Sequence, residues 1–281
     1  MPQEILLYRD RVTSIGVLLH ALREYFTPYG LEIRTITIND IRNGILRNSK
    51  SAMIVLPGTV NEDSDYQQDF TNQDQKQLLS FHDHGGVSLN ICGGANFVSR
   101  LINYNSNTTH PRRVLSLNPL FKGHAEGPIH PFAQKMDGTF GVLKLSMAKI
   151  LIKDLLQQEW IKTSVTYANG PAFYPDKKDD PSIEILMKYD IPDTPAAGIR
   201  VSIGKGAAYL LGPHIENGVM HTTPNILERN PALAAYNNMV APFEFIRQEF
   251  MQELAAKMVN DIIATNAFRF KRFLRIREHV R

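Results

Sequence analysis

The chain has 281 residues, 43% of them apolar, which is enough for a packed core without disulfide or metal staples and excludes a disordered chain. Its formal charge of +3 is concentrated: residues 266 to 281 carry six Lys or Arg and one Glu, leaving 25 basic and 27 acidic residues elsewhere, a body that makes no general case for nucleic-acid binding. The single cysteine, Cys92, excludes an intrachain disulfide and a cysteine-based zinc site, and with no secretory apolar region and no bilayer-length apolar run the expectation is a cytoplasmic protein without a membrane span.

The first ninety residues alternate strand and helix patterns. Ile5 to Tyr8 is a short buried-strand run, and Ile15, Leu18, Leu19, Leu22 and Phe26 recur at helical spacing. Glu32 to Ile38, Ala52 to Leu56 (stopped by Pro57-Gly58) and Val87 to Ile91 (entered through Gly85-Gly86) read as further strands. Strands apolar on both faces and separated by helices predict an α/β fold: a mostly parallel sheet flanked by helices. His82-Asp83-His84 before Gly85-Gly86 predicts a helix end capped by the glycines and favoured by histidines.

Asn103 to Arg113 and the Gly- and Pro-rich Phe121 to Phe132 read as long loops around a site. Strand patterns return at Thr163 to Tyr167, Ile183 to Met187 and Ala197 to Ile203, the last forming a hairpin with Ala207 to Leu211 across Gly204-Lys205-Gly206. From Phe243 onward Ile246, Phe250, Leu254, Met258 and Ile262 step by four, an amphipathic helix. The expected division is an α/β domain over residues 1–225 and a helical extension over 226–281. The tail continues the helical spacing with basic residues between its apolar ones, and is read as a helix with a solvated face. The competing reading is a contact for a negatively charged partner (RNA, anionic lipid or an acidic protein face), and the C-terminal helices are also read as a place for a protein partner or a second copy.

Cys92 ends the strand Val87 to Ile91 and is followed by Gly93-Gly94-Ala95 and a helical pattern through Phe97, Val98 and Leu101. Strand, nucleophile, glycine and helix make a nucleophile elbow, in which a tight turn lifts the thiol off the sheet's carboxyl edge and a helix start offers N–H groups to negative charge. A buried inert thiol is the alternative. A base would come from His214, just past the strand Ala207 to Leu211, with Glu216 two residues on to orient its ring. His124, Glu126 and His130 lie in a segment that gives no fixed face, so no metal is expected.

These motifs resemble class I glutamine amidotransferase domains, which carry a Gly-x-Cys-x-Gly elbow and a late His-x-Glu. Here the elbow is Asn90-Ile91-Cys92-Gly93-Gly94 and the pair is His214-Ile215-Glu216. The closer resemblance is to the amidotransferase-like domain at the N-terminus of eukaryotic biotin protein ligases and its free-standing bacterial relatives. It is carried by Ile5 to Tyr8 with Thr13-Ser14, Val55 to Gly58, the elbow, Leu120 to Pro128, Tyr167 to Pro171, and Gly204-Lys205-Gly206 leading to Gly212-Pro213-His214, over residues 1 to about 218.

The resemblance implies a class I glutamine amidotransferase-like fold of flavodoxin-like type and a small-molecule amide or related acyl substrate. It assigns Cys92 as nucleophile, His214 as base and Glu216 as its orienter, with oxyanion donors from Gly93 and from Gly58 and Thr59. Asn61 to Tyr66, Gly123 to Pro128 and Asn169-Gly170-Pro171 would rim the pocket, and Asn90, Gly94, Asn169 and Gly170 would line it. No cofactor is implied. Asn90 departs from the family's small glycine two residues before the cysteine, which raises the alternative of an inactive ligand-binding or regulatory module. Nothing after residue 218 resembles a ligase catalytic domain, so biotinylation is not implied.

Overall fold

Apolar side chains on both faces of successive strands build one sheet between two cores. The computed structural model describes residues 3–9, 15–59, 66–104, 112–133, 146–221 and 224–278, with 112, 224, 227 and 266–278 described by backbone alone. In β1 (Gln3–Tyr8), Ile5 and Leu7 enter one core and Leu6 and Tyr8 the other. After α1 (Gly16–Phe26), β2 (Leu31–Ile36) and α2 (Ile38–Arg42), the same alternation recurs in β3 (Ser51–Leu56), which splits Met53 and Val55 from Ile54 and Leu56. The chain continues through α3 (Tyr66–Asp69), α4 (Asn72–Asp83), β4 (Val87–Ile91) and α5 (Gly93–Phe97).

Next come β5 (Ser99–Tyr104), β6 (Arg112–Leu115), β7 (Phe121–Gly127), β8 (Ser146–Lys153), β9 (Trp160–Tyr167), β10 (Ala172–Pro175) and β11 (Ile183–Tyr189). The hairpin β12 (Ala196–Ile203) and β13 (Gly206–Leu211) pairs Ile203 with Gly206, as its glycines predict. The described chain closes with α6 (Pro224–Arg229), α7 (Pro231–Val240) and α8 (Glu244–Glu278).

The sheet runs β2-β1-β3-β4-β13-β12-β10-β7-β5-β6, with β11, β8 and β9 branching from β12. The five strands from β2 to β13 are all parallel, so the ends of β3, β4 and β13 open on one carboxyl edge. The rest is antiparallel apart from β5 beside β7. Helices α2, α4 and α5 cover one face, and α1 and α8 cover the other.

Three expectations change. The helix after Cys92 stops at Phe97, because the chain turns at once into β5, which carries Leu101. The segment Phe121 to Phe132 is not a loop at its start: Phe121–Gly127 is a strand paired with β5 and β10, its glycines accommodating close neighbours such as the Tyr174 carbonyl, 2.5 Å from where a Cβ on Gly123 would sit. Of the loop expected over Asn103 to Arg113, the ends belong to β5 and β6, and 105–111 lie outside the described residues.

The helical segment from 226 is also more than an extension. Phe250, Met251, Leu254, Ala255, Met258, Val259 and Ile262 join the same core as β1, β3, β4 and β13. Arg200 Nε and Nη2 hold Asp261 at 2.9 and 2.8 Å, and the Tyr209 hydroxyl donates to it at 2.6 Å, fastening α8 to β12 and β13. The backbone stays helical to Glu278, while the placement of the tail's basic side chains lies outside the described residues. No helix among the described residues is long and apolar enough to cross a membrane.

Candidate active site

Cys92 stands between the last residue of β4 and the first of α5 with φ 50° and ψ −106°, a left-handed backbone that a non-glycine residue adopts only when its surroundings enforce it. They do so on both sides. The Cys92 N–H donates to the Leu211 carbonyl at 2.8 Å, extending the parallel ladder one residue beyond β4, and the Cys92 carbonyl accepts from Asn96 at 2.9 Å, starting the helix. Gly94 has to be glycine, since a Cβ there would lie 2.2 Å from the Leu56 carbonyl oxygen. That close approach seats α5 on the end of β3.

His214 arrives from the end of β13. Its N–H donates to the Thr166 carbonyl at 2.8 Å, and its ring Nδ1 lies 2.8 Å from Glu216 Oε1. With Nδ1 so engaged, Nε2 is the nitrogen left for Cys92. The Cys92 sulfur lies close enough to the ring to raise its proton affinity. A Cβ on Gly58 would touch both, 2.8 Å from His214 Cε1 and 3.3 Å from Cys92 Cβ. The His214 side chain is 14% exposed and that of Glu216 7%. Burial alone would push the imidazole down, but the Glu216 carboxylate and the neighbouring sulfur outweigh it and hold His214 well above the ordinary imidazole value. Glu216 Oε2 is buried without a hydrogen-bond partner among the described residues, so Oε1 carries the contact that orients the ring.

The backbone around the sulfur brings Gly93 and Thr59 together: a Cβ on Gly93 would lie 3.0 Å from Thr59 N and 2.7 Å from its Oγ1. The 58–59 backbone and the first N–H groups of α5 thus border the same space. On the other side the Cys92 thiol donates to the Ala168 carbonyl at 3.6 Å. Asn169, at φ 59° and 5% exposed, and Gly170 form the turn beyond it. Gly170 and Gly212 approach so closely that a Cβ on either would lie within 2 Å of the other strand's carbonyl, 1.8 Å from Gly212 O and 1.9 Å from Pro171 O. The Tyr167 hydroxyl accepts from Ile129 N at 2.6 Å and donates to Gly170 O at 2.8 Å, and Tyr189 donates to Pro171 O at 3.0 Å. Burial raises both hydroxyls far above their usual range, which keeps them neutral donors.

Asn90 is placed differently from expectation. It is 0% exposed, faces the core under α4 and α5, and donates to Ser88 Oγ at 2.8 Å and to the Tyr209 carbonyl at 3.0 Å. Ser88 in turn meets His82 Nε2 at 2.8 Å, and His82 Nδ1 meets the Leu78 carbonyl at 2.8 Å. Asn90 neither blocks the elbow nor lines the pocket; it belongs to a buried chain joining α4, β4 and β13. Both histidines meet carbonyls of the last turn of α4, His82 through Leu78 O and His84 Nδ1 through Ser80 O at 2.7 Å.

Of the expected rim, residues 61–65 lie outside the described residues, while Tyr66 is fully buried with its hydroxyl on the Pro57 carbonyl at 2.8 Å. His124 stacks on Tyr174 at 4.7 Å, and among the described residues no three His, Cys, Asp or Glu side chains are grouped to hold a metal. Thr166, Ala168 and Arg247 were not legible as site residues, because what each offers is a backbone or long-range contact with no local pattern.

Residues 3–272 match the family described as Biotin-protein ligase, N terminal, which continues well past the point near 218 where the resemblance read from motifs stops. An uncharacterized protein of Chlamydia muridarum is 25% identical over 83% of this chain and 92% of its own. A biotin–protein ligase of Schizosaccharomyces pombe is 26% identical over 60% of this chain, which spans only 26% of that ligase. Among solved structures, a glutamine amidotransferase of Thermotoga maritima is 12% identical, with 94% of this chain and 97% of that one covered and a TM-score of 0.43. A beta-galactosidase of Rahnella sp. R3 is 11% identical over 76% of this chain and 29% of its own, with a TM-score of 0.46.

Proposed function

The chain belongs to the biotin-protein ligase N-terminal family, and from that premise we propose that it is an amidotransferase-like thiol hydrolase acting on a small amide or related acyl substrate through Cys92, His214 and Glu216. The observation that carries this reading is the juxtaposition of Cys92 and His214 against Gly58, with the ring held by Glu216 at 2.8 Å and the cysteine on a strained turn at a helix start. A ring held well above its ordinary value has the proton affinity to take the thiol proton as the sulfur attacks.

In the first half-reaction the sulfur attacks the acyl carbon, an S–C bond forms, and the carbonyl electron pair moves to oxygen. Backbone N–H groups of Gly93 and of Gly58-Thr59 receive that charge, a contribution on the order of 3 kcal/mol per donor. His214 then protonates the leaving nitrogen as the C–N bond breaks. In the second half-reaction His214 takes a proton from water, the hydroxide displaces the sulfur, and the acid leaves. Glu216 keeps Nε2 directed at the reacting atoms throughout.

Turnover of glutamine and of a panel of small amides by the full chain, compared with Cys92→Ser, tests the proposal. Loss of roughly a thousandfold or more in the variant is expected; equal rates in both, or none in either, refute it. One observation favours a ligand-binding module without turnover: Cys92 is 8% exposed and its thiol donates to Ala168 O. Iodoacetamide separates the two readings, since an activated thiol reacts faster than free cysteine at pH 7 and an inert one does not.

A further inference from the structure

The peptide between His214 and Glu216 is gripped from behind by the C-terminal helices. After β13 the chain makes a tight turn, Asn217 N donating to the His214 carbonyl at 3.2 Å, and then runs irregularly to residue 221. Arg247 Nη1 donates to the Ile215 carbonyl at 3.0 Å. Its Nε and Nη2 hold Glu244 at 2.9 and 2.6 Å, and Glu244 Oε2 accepts from Val219 N at 3.1 Å. Asn237 closes a two-way bond on Met220, Oδ1 accepting at 2.9 Å and Nδ2 donating at 3.0 Å. The Tyr236 hydroxyl donates to Gly218 O at 3.3 Å and lies 3.2 Å from Thr166 Oγ1.

Arg247 is buried, with 8% of its side chain exposed against 15% for Glu244. A buried guanidinium has N–H donors beyond those its carboxylate takes, and what it pairs them with ties segments together. Beyond Glu244, its Nη2 reaches the Tyr25 hydroxyl at 3.5 Å and its Nη1 takes the carbonyl of the residue flanked by His214 and Glu216.

We propose that Arg247 is a positioning residue of the His214–Glu216 pair: fixed by Glu244, it clamps the Ile215 carbonyl and so sets the geometry in which Glu216 meets the ring. The C-terminal helices are then a built part of the site. The value of this geometry for chemistry rests on the thiol-hydrolase reading, whereas the clamp itself is measurable on the histidine. The charged and titratable groups around the turn are Cys92 and Glu216 beside the ring, Arg247 and Glu244 from α8, Tyr236 from α7 and Tyr25 from α1. Loss of a nearby cation would by itself raise the imidazole's proton affinity, while loosening the Glu216 contact lowers it, so the sign separates charge from position.

The experiment follows the His214 ring by NMR of the histidine-labelled full chain, its signal assigned by its disappearance in His214→Gln. In Arg247→Gln the titration midpoint is expected to fall by about one pH unit, a tenfold loss of proton affinity, with Arg247→Lys retaining part of it. A folded Arg247→Gln whose midpoint is unchanged or raised overturns the clamp. Should Arg247→Gln fail to fold, Gly218→Ala decides: its Cβ would lie 2.3 Å from Arg247 Nη2, displacing the end of a flexible side chain and keeping every charge. A lowered midpoint there supports the clamp and an unchanged one overturns it. Iodoacetamide rates on the same samples keep the two ideas apart. A wild-type thiol no faster than free cysteine sinks the hydrolase reading and leaves the histidine result standing. A fast thiol with an unmoved midpoint sinks the clamp alone.

Discussion

His82, beside the start of β4, and His214, past the end of β13, are both pushed down by burial, but the carboxylate and sulfur beside His214 reverse the outcome there. His82 has no carboxylate in contact; burial lowers it from 6.5 to about 4, against smaller raising effects from the Leu78 carbonyl and Asp83. Its folded value lies below its unfolded value, so between those limits the unfolded chain binds a proton that the folded chain refuses. The stability contribution is therefore whole above pH 6.5 and is lost as pH falls toward 4. Over pH 6.5 to 5 the loss is about 1.5 kcal/mol. His82→Gln should flatten that slope in urea unfolding measured at the two pH values, and a slope equal to that of the wild type would show that His82 is not the group responsible. The carboxylates held low by hydrogen bonds, such as Asp74, titrate below this window in both proteins. The same histidine bears on Asn90: through Ser88 it is linked to the Asn90 Nδ2, which also donates to Tyr209 O, so the amide packs under the elbow although its Oδ1 has no hydrogen-bond partner among the described residues.

The elbow itself was legible because its parts are contiguous. An apolar run ending in Cys92 and followed by two glycines describes a strand, a turn and a helix start, and the glycines report close approach. The test of that physical reading is Gly94→Ala, whose Cβ would lie 2.2 Å from a main-chain oxygen at the end of β3. Neither strand nor helix can retreat cheaply, so a loss of about 2 kcal/mol or more is expected in chemical denaturation. Gly16→Ala, with nothing within 4 Å of its Cβ at the start of α1, serves as the neutral control, and equal effects for the two would refute the packing account. What escaped the sequence is likewise physical. Phe121–Gly127 reads as a loop by its glycines, yet Gly123 is there because Phe121 and the Tyr174 carbonyl crowd it. The clamp on Ile215 joins residues 32 apart through a carbonyl, and a carbonyl has no letter in the sequence.

At the scale of the whole molecule, the apolar stripe from Phe250 to Ile262 and the backbone of the basic segment as far as Glu278 belong to one helix. The stripe from Phe250 to Ile262 covers β3, β4 and β13 on the face opposite α4, directly behind the edge that carries Cys92 and His214, and Arg247 stands one turn before it. Burying five large side chains there (Phe250, Met251, Leu254, Met258, Ile262) contributes roughly 10 kcal/mol at about 2 kcal/mol each, comparable with the entire stability of an ordinary domain. A chain ending at residue 243 is therefore expected to show no cooperative thermal transition, while a chain ending at residue 265 keeps this core and the Asp261 contacts and should retain one. Calorimetry of the two truncations against the full chain checks this. A cooperative transition in the shorter chain would mean that α8 is an appendage after all, and would also remove Arg247 and Glu244 without unfolding the sheet, turning the shorter chain into a direct sample of the His214–Glu216 pair with its support withdrawn.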